Sequence, residues 1–203
     1  MAKIALVGAS GNAGSRILKE LSDRRHQVTA IARAPEKIAS LPNVVAKKGD
    51  VFDQTGLSEL LRGHDAVISS VHFTASDPLK LIEAVRASGV QRYLVVGGAG
   101  SLEIAPGQRV VDLPDFPAAY KAEATKGAEF LDLLKQEKQL DWTFLSPSAE
   151  FVPGERTGKF RIGKDSLLSN DEGSRISFED YAIALVDEIE KPQHSRQRFT
   201  VGY

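Results

Sequence analysis

Short runs of branched apolar residues alternate along this chain with longer segments in which apolar positions recur every three or four residues. The first pattern predicts buried strands, the second amphipathic helices with one face turned inward. Strands are expected at Lys3–Val7, Gln27–Ala32, 44–47, 66–70, 93–96, 142–145 and 199–201, and helices at 12–24, 54–62, 78–88, 118–138 and 178–190. Ala13, Ile17, Leu18 and Leu21 share a face of the first helix, and Leu81, Ile82 and Val85 a face of the third. In the fourth, Tyr120, Ala124, Gly127, Leu131 and Leu134 form the expected inward stripe. Residues 36–40 are too few for a helix and read as a turn. Alternation with short links predicts one α/β domain over 1–203, a doubly wound parallel sheet with helices on both faces.

Two stretches interrupt the alternation. Residues 97–117 hold Pro106, Pro114 and Pro117 yet also Leu102, Ile104, Val110, Val111, Leu113 and Phe116, while residues 146–177 are rich in glycine, serine and charge, with 159–162 the one strand-like piece. Unstructured loops longer than about 12–15 residues are uncommon unless they bind something. Both follow the C-terminal ends of predicted parallel strands, where open α/β sheets bind ligands, so both are assigned to the substrate side. Plain surface connections or an oligomer contact are the alternative.

Directly behind the apolar run Ile4-Ala5-Leu6-Val7 stands Gly8-x-x-Gly11-x-x-Gly14, and the first helix follows at once. A turn that brings backbone close to a pyrophosphate has no room for side chains at Gly8 or Gly11, and Gly14 lets the helix sit tightly on the strand. The first N–H groups of that helix lack intrahelical partners and carry the positive end of its dipole, so they attract phosphate. Glycines alone mark many turns; strand, glycines and helix in this order mark a dinucleotide site.

Composition removes several other classes. With 26 basic and 27 acidic residues, nothing favours nucleic acid or an anionic membrane as partner. The absence of cysteine excludes disulfides, thiol nucleophiles and thiolate metal sites. His26, His64, His72 and His194 show no metal-ligand spacing, so no metal is expected; His72, just past the fourth strand, is the one near an expected ribose, and a satisfied surface histidine is its simpler reading. Gly98-x-Gly100-Ser101 lacks the serine between glycines that a hydrolase elbow requires. The chain opens on a strand rather than a basic and apolar leader, and no segment reaches the roughly 20 apolar residues of a membrane span, so the cytoplasm is the expected location.

The end of the second strand bears on which dinucleotide is held. NAD sites carry an acid there for the ribose 2′-hydroxyl. This chain has Arg33, whose guanidinium suits a 2′-phosphate, with Lys37 one turn on and Glu36 set off beyond Pro35. NADP(H) is the preferred cofactor and NAD(H) the alternative; a solvated strand-end arginine is the other account of Arg33. Asp50, in Gly49-Asp50-Val51, is placed equally for the adenine amino group or for capping a turn.

Gly8-Ala9-Ser10-Gly11-Asn12-Ala13-Gly14, Arg33, Gly49-Asp50-Val51, Val96-Gly97-Gly98-Ala99-Gly100-Ser101 and Ser146-Pro147-Ser148 together resemble the atypical short-chain dehydrogenase/reductases. Within that superfamily of Rossmann-fold proteins the likeness is to the NAD(P)H-binding group of NADH-flavin reductase-like proteins, similar in turn to biliverdin reductase B and the NmrA-like regulators. The resemblance covers essentially the whole chain. It implies that Gly8, Ser10, Gly11, Asn12 and Ala13 hold the pyrophosphate, Arg33 the 2′-phosphate, and Asp50 with Val51 the adenine. Val71 and Gly97 would flank the ribose and nicotinamide side, and the nicotinamide would lie against backbone at Pro147 and Ser148, whose simpler reading is a strand-ending turn.

One departure restricts the chemistry. Typical members pair a tyrosine with a lysine four residues later, so that the ammonium lowers the phenol pKa. Here the residue four past Tyr120 is Ala124, and by 3.6-residue periodicity Lys121 and Lys126 lie off the Tyr120 face. Tyr120 on an inward stripe reads as core, though it remains a candidate contact at the nicotinamide end. Ketone reduction leaves an alkoxide that needs a proton at once, whereas a flavin spreads the charge over its ring, which favours a flavin or similar planar small molecule as acceptor. Ser101 is the remaining catalytic candidate, placed to bond a substrate carbonyl or the nicotinamide carboxamide, or else to cap its own turn. Two functions follow: an NADPH-dependent reductase, or an NADP(H)-binding redox sensor without turnover. Oligomeric state stays open, since helix 118–138 serves equally for self-pairing or for burial within the monomer.

Overall fold

Ile4 to Val7 are all buried, and a strand apolar on both faces belongs at the centre of a parallel sheet. The computed structural model describes residues 1–203 and places it there. In chain order the elements are β1 (Lys3–Val7), α1 (Asn12–Asp23), β2 (Gln27–Ala32), β3 (Val44–Lys48), α2 (Gln54–Leu61), β4 (Ala66–Ser69), α3 (Pro78–Ser88), β5 (Arg92–Val96), β6 (Glu103–Ala105), β7 (Gln108–Arg109), α4 (Ala118–Gln136), β8 (Asp141–Pro147), β9 (Glu150–Val152), β10 (Arg161–Gly163), β11 (Arg175–Ser177), α5 (Phe178–Glu190) and β12 (Gln197–Gly202). The main sheet runs β10-β12-β8-β5-β4-β1-β2-β3, parallel throughout except for β10 against β12. From β1 the chain winds out to β3, crosses back to β4 and winds to the other edge, which is the doubly wound Rossmann arrangement with its switch point between β1 and β4.

One face of the sheet carries α1 and α5 over a core containing Ile4, Leu6, Ile17, Leu21, Tyr181 and Leu185. The other carries α2, α3 and α4 over Ala5, Val7, Leu81, Val85, Phe130 and Phe144. Local signals set the helix starts. Asp53, Asp77 and Ser177 each accept a backbone N–H of the first turn, Pro78 occupies the first position of α3, and Gly89 closes it at φ +81°.

The structure departs from expectation at Tyr120 and adds detail to the two irregular stretches. Tyr120 is 66% exposed rather than on a buried stripe; burial in α4 begins with Gly127, Ala128, Phe130 and Leu131, and residues 121–124 before it lie against the loops that follow β4 and β5. The strand-like piece at 159–162 is β10, which closes an edge of the main sheet. The two irregular stretches join each other: the Glu103 N–H donates to the Asp165 carbonyl at 2.8 Å and the Leu167 N–H to the Glu103 carbonyl at 2.9 Å. Part of the second stretch also covers helices. Arg156 grips the buried Glu20 of α1 through two bonds of 2.8 Å, and the N–H groups of Thr157 and Gly158 both reach Asp180 of α5 at 2.8 Å.

Candidate active site

The turn between β1 and α1 is held by backbone. The N–H groups of Gly8 and Ala9 donate to the Ile31 carbonyl at 2.9 and 3.3 Å, and Gly11 N–H to the Gly8 carbonyl at 3.1 Å. Gly8 sits at φ +83°, and a Cβ there would lie 2.1 Å from the Ser70 carbonyl oxygen. A Cβ on Gly14 would lie 2.1 Å from the Gly8 carbonyl oxygen, so only glycine lets α1 dock on this turn. Gly11 is different: its Cβ would meet nothing nearer than 3.4 Å, and its exposed face opens outward. The amides of Ser10, Asn12, Ala13 and Gly14 have no partner within the chain, and no side chain caps the helix. Four free N–H groups at a positive helix end, on a surface cleared of side chains, fit a pyrophosphate.

At the end of β2, Arg33 is exposed and makes no ion pair or hydrogen bond. Asp50 makes its own turn, one carboxylate oxygen accepting the Phe52 N–H at 2.9 Å. Val51 is half-buried against the α2 and α3 core.

The segment after β4 borders the glycine turn, since Val71 Cγ1 lies 3.0 Å from where a Gly8 Cβ would stand. It is pinned from beneath by Phe73, buried between Phe130 and Phe144 and so close to Gly127 that a Cβ there would approach its ring to 2.7 Å. Glu123 of α4 pins it from the side. Its carboxylate accepts the N–H groups of Phe73 and Thr74 at 2.8 and 2.9 Å, the Thr74 hydroxyl at 2.7 Å, and faces His72 Nδ1 at 3.3 Å. Burial would raise the Glu123 carboxyl, but the Thr74 hydroxyl, the two N–H groups and His72 outweigh it and hold the group below its ordinary value. The sequence reading missed Glu123, because a charged residue off the apolar stripe of a helix looks like any solvent-facing one.

Gly97 closes the other side, with Phe144 and the Leu145 carbonyl filling the space of a side chain. Ser101 is 6% exposed, and its hydroxyl lies 3.3 Å from Nη1 of Arg198, a guanidinium also bound to Asp165 at 2.6 Å. Ser148 is fully buried and gives its hydroxyl to the Val201 carbonyl at 3.0 Å, while Pro147 ends β8 beside Val201. Tyr120 at the head of α4 offers a phenol without a partner, and Lys121 is turned away to the Val111 carbonyl. Position 124 faces the 99–101 turn, its alanine filling the space a Gly100 Cβ would need. Gly8 to Ala13, Val71 and Gly97 thus gather along the C-terminal ends of β1, β4 and β5, with Arg33 and Asp50 at the β2 and β3 ends, whereas the Ser101 and Ser148 hydroxyls are engaged inside the protein.

The family model for NAD(P)H-binding proteins matches residues 8–192. The chain belongs to the NAD(P)H-binding family. Solved structures of similar proteins cover all of it, and their descriptions differ although each is called putative. An exported protein of Burkholderia pseudomallei is 45% identical over 100% of both chains with a TM-score of 0.91. An epimerase from Bacteroides thetaiotaomicron is 43% identical over 97% of its own length with a TM-score of 0.94. An NADH-flavin reductase from Streptococcus pneumoniae TIGR4 is 39% identical over 99% of its length with a TM-score of 0.85. No helix is long and apolar enough to cross a membrane.

Proposed function

We propose that this protein is an NADPH-dependent reductase acting on a flavin or similar planar small molecule. The observation that carries the reading is the pairing of four unpartnered amides at the glycine turn with an unpaired Arg33 at the next strand end. Ser10, Gly11, Asn12 and Ala13 would hold the pyrophosphate, with Gly8 shaping the turn. Arg33 would pair with the 2′-phosphate, Asp50 and Val51 would border the adenine, and Val71 and Gly97 would frame the ribose and nicotinamide, whereas Pro147 and Ser148, expected there from the sequence, are buried beneath the site. NAD(H) fits the same turn but offers Arg33 no 2′-phosphate. When bound, the cofactor supplies hydride from its nicotinamide ring. The protein's contribution is alignment of donor and acceptor and exclusion of water, with the exposed Tyr120 phenol at the rim as a substrate contact. A cytoplasmic location, where reduced NADPH is supplied, fits this reading.

NADPH oxidation measured with FMN or FAD tests the reading, with a rate well above the protein-free reaction expected and a rate no faster than it counting against turnover. A second reading, an NADP(H)-binding redox sensor, is favoured by Ala124 packed on the Gly100 turn where the superfamily's usual lysine would stand. It predicts tight NADPH binding with no turnover in the same assay.

A further inference from the structure

Resting on the reductase reading, we propose that His72 is the proton donor of this site, oriented by Glu123, and that the acceptor carries an oxygen that becomes anionic when hydride arrives. His72 immediately follows Val71, the residue that abuts the glycine turn, and so stands on the rim of the cleft at the sheet's switch point. Its side chain is 85% exposed, with Nδ1 at 3.3 Å from Glu123 Oε1. That contact makes Nδ1 the donor to a carboxylate and leaves Nε2 directed away from it. Glu123 cannot swing aside, because Phe73, Thr74 and the Thr74 hydroxyl hold both its oxygens. Proton donation needs an imidazole steered by a carboxylate and reloaded by water, which is what this pair provides.

Other charges leave the pair alone. Neither the glycine turn nor residues 97–101 contain a charged side chain, and neither do residues 70–76 apart from His72 itself. Asp77 caps α3, Lys126 on α4 is paired with Glu129, and Tyr120, one turn before Glu123, has no hydrogen-bond partner. In the step itself the acceptor gains the hydride electron pair from NADPH, which is oxidised to NADP⁺. The acceptor oxygen forms a bond to the Nε2 proton as the N–H bond breaks, and neutral His72 regains a proton from water.

The test compares wild type, His72→Gln, His72→Ala and Glu123→Gln with NADPH, using 1,4-naphthoquinone as oxygen-centred acceptor and FMN as one that needs no acid. The expected result is a ratio of quinone to FMN rate at least tenfold lower in His72→Gln, an NADPH Kd within twofold, and partial recovery of His72→Ala by added imidazole. Glu123→Gln, which keeps an acceptor oxygen for the loop but no longer holds the imidazole against a carboxylate, should lower the ratio of quinone to FMN rate in the same direction as His72→Gln and by a smaller factor, with the NADPH Kd again within twofold. A readout without turnover is carbethoxylation of His72 by diethyl pyrocarbonate, followed by mass spectrometry, which NADP⁺ should slow severalfold. An unchanged rate ratio in His72→Gln, or no protection by NADP⁺, overturns the assignment and leaves the reductase standing. A wild type inert toward both acceptors overturns the reductase reading and this assignment with it.

Discussion

Alanine at Gly14 and alanine at Gly11 should do opposite things, although both stand in one glycine turn. At position 14 a methyl would lie 2.1 Å from the Gly8 carbonyl oxygen, whereas real Cβ contacts stay beyond 3.0 Å. The obstacle is backbone, so no side chain can rotate to relieve it, and α1 must lift off β1. Overpacking of this kind costs about 1–3 kcal/mol, and a backbone obstacle belongs at the upper end. Alanine recovers roughly 1 kcal/mol of helix propensity, leaving a net loss of about 2 kcal/mol. For a domain of this size that is a fall in Tm of about 4–8 °C. At Gly11 the methyl would meet nothing closer than 3.4 Å and φ is −75°, so the fold accepts it. It would nonetheless stand on the face through which a pyrophosphate approaches the free amides. Thermal melts and NADPH titration by fluorescence check the pair: Gly14→Ala should lower Tm and weaken binding together, while Gly11→Ala should keep Tm within about 2 °C and weaken NADPH binding at least tenfold. Equal Tm losses in both variants, or unaltered NADPH affinity in Gly11→Ala, would refute the reasoning.

Arg33→Ala should weaken NADPH binding by roughly tenfold or more while changing NADH little, because a charge-assisted pair to the 2′-phosphate is available to one cofactor only; equal losses for both would remove the cofactor preference. Arg198→Met keeps the aliphatic stem but removes the guanidinium that joins Ser101 to Asp165, and should cost about 1–3 kcal/mol with faster amide exchange in residues 101–113 and 163–168, read by hydrogen–deuterium exchange. Glu20, Glu123, Glu179 and Glu190 are each subject to burial that raises the carboxyl and to cationic or N–H partners that outweigh it, so all four titrate below the ordinary 4.5. Groups lowered on folding stabilise the protein fully above the unfolded value and lose that contribution as pH falls through the folded one, so Tm should drop as pH is taken below about 4.5, less steeply in Glu20→Gln.

What the sequence determined by itself was everything that rests on neighbours in the chain. Apolar periodicity located β1, β2 and the five helices to within two residues, because one side of each element must face a core wherever that core lies. The glycine turn was equally legible, since the limits on Gly8 and Gly14 come from a few adjacent peptide units. Tertiary structure decided the rest. Tyr120 shared its helical face with buried residues yet is exposed, because a stripe on a helix is buried only where another layer covers it, which periodicity does not measure. Ser101 and Arg198 stand 97 positions apart, and His72 and Glu123 51 apart. Such polar pairs repeat at no interval, and each partner alone resembles a solvated surface residue. Only when α4 is laid against the loop after β4, and β12 brought under the turn after β5, do these side chains meet, and so the rim of the cleft is set by packing while its phosphate-binding turn is written in the first fourteen residues.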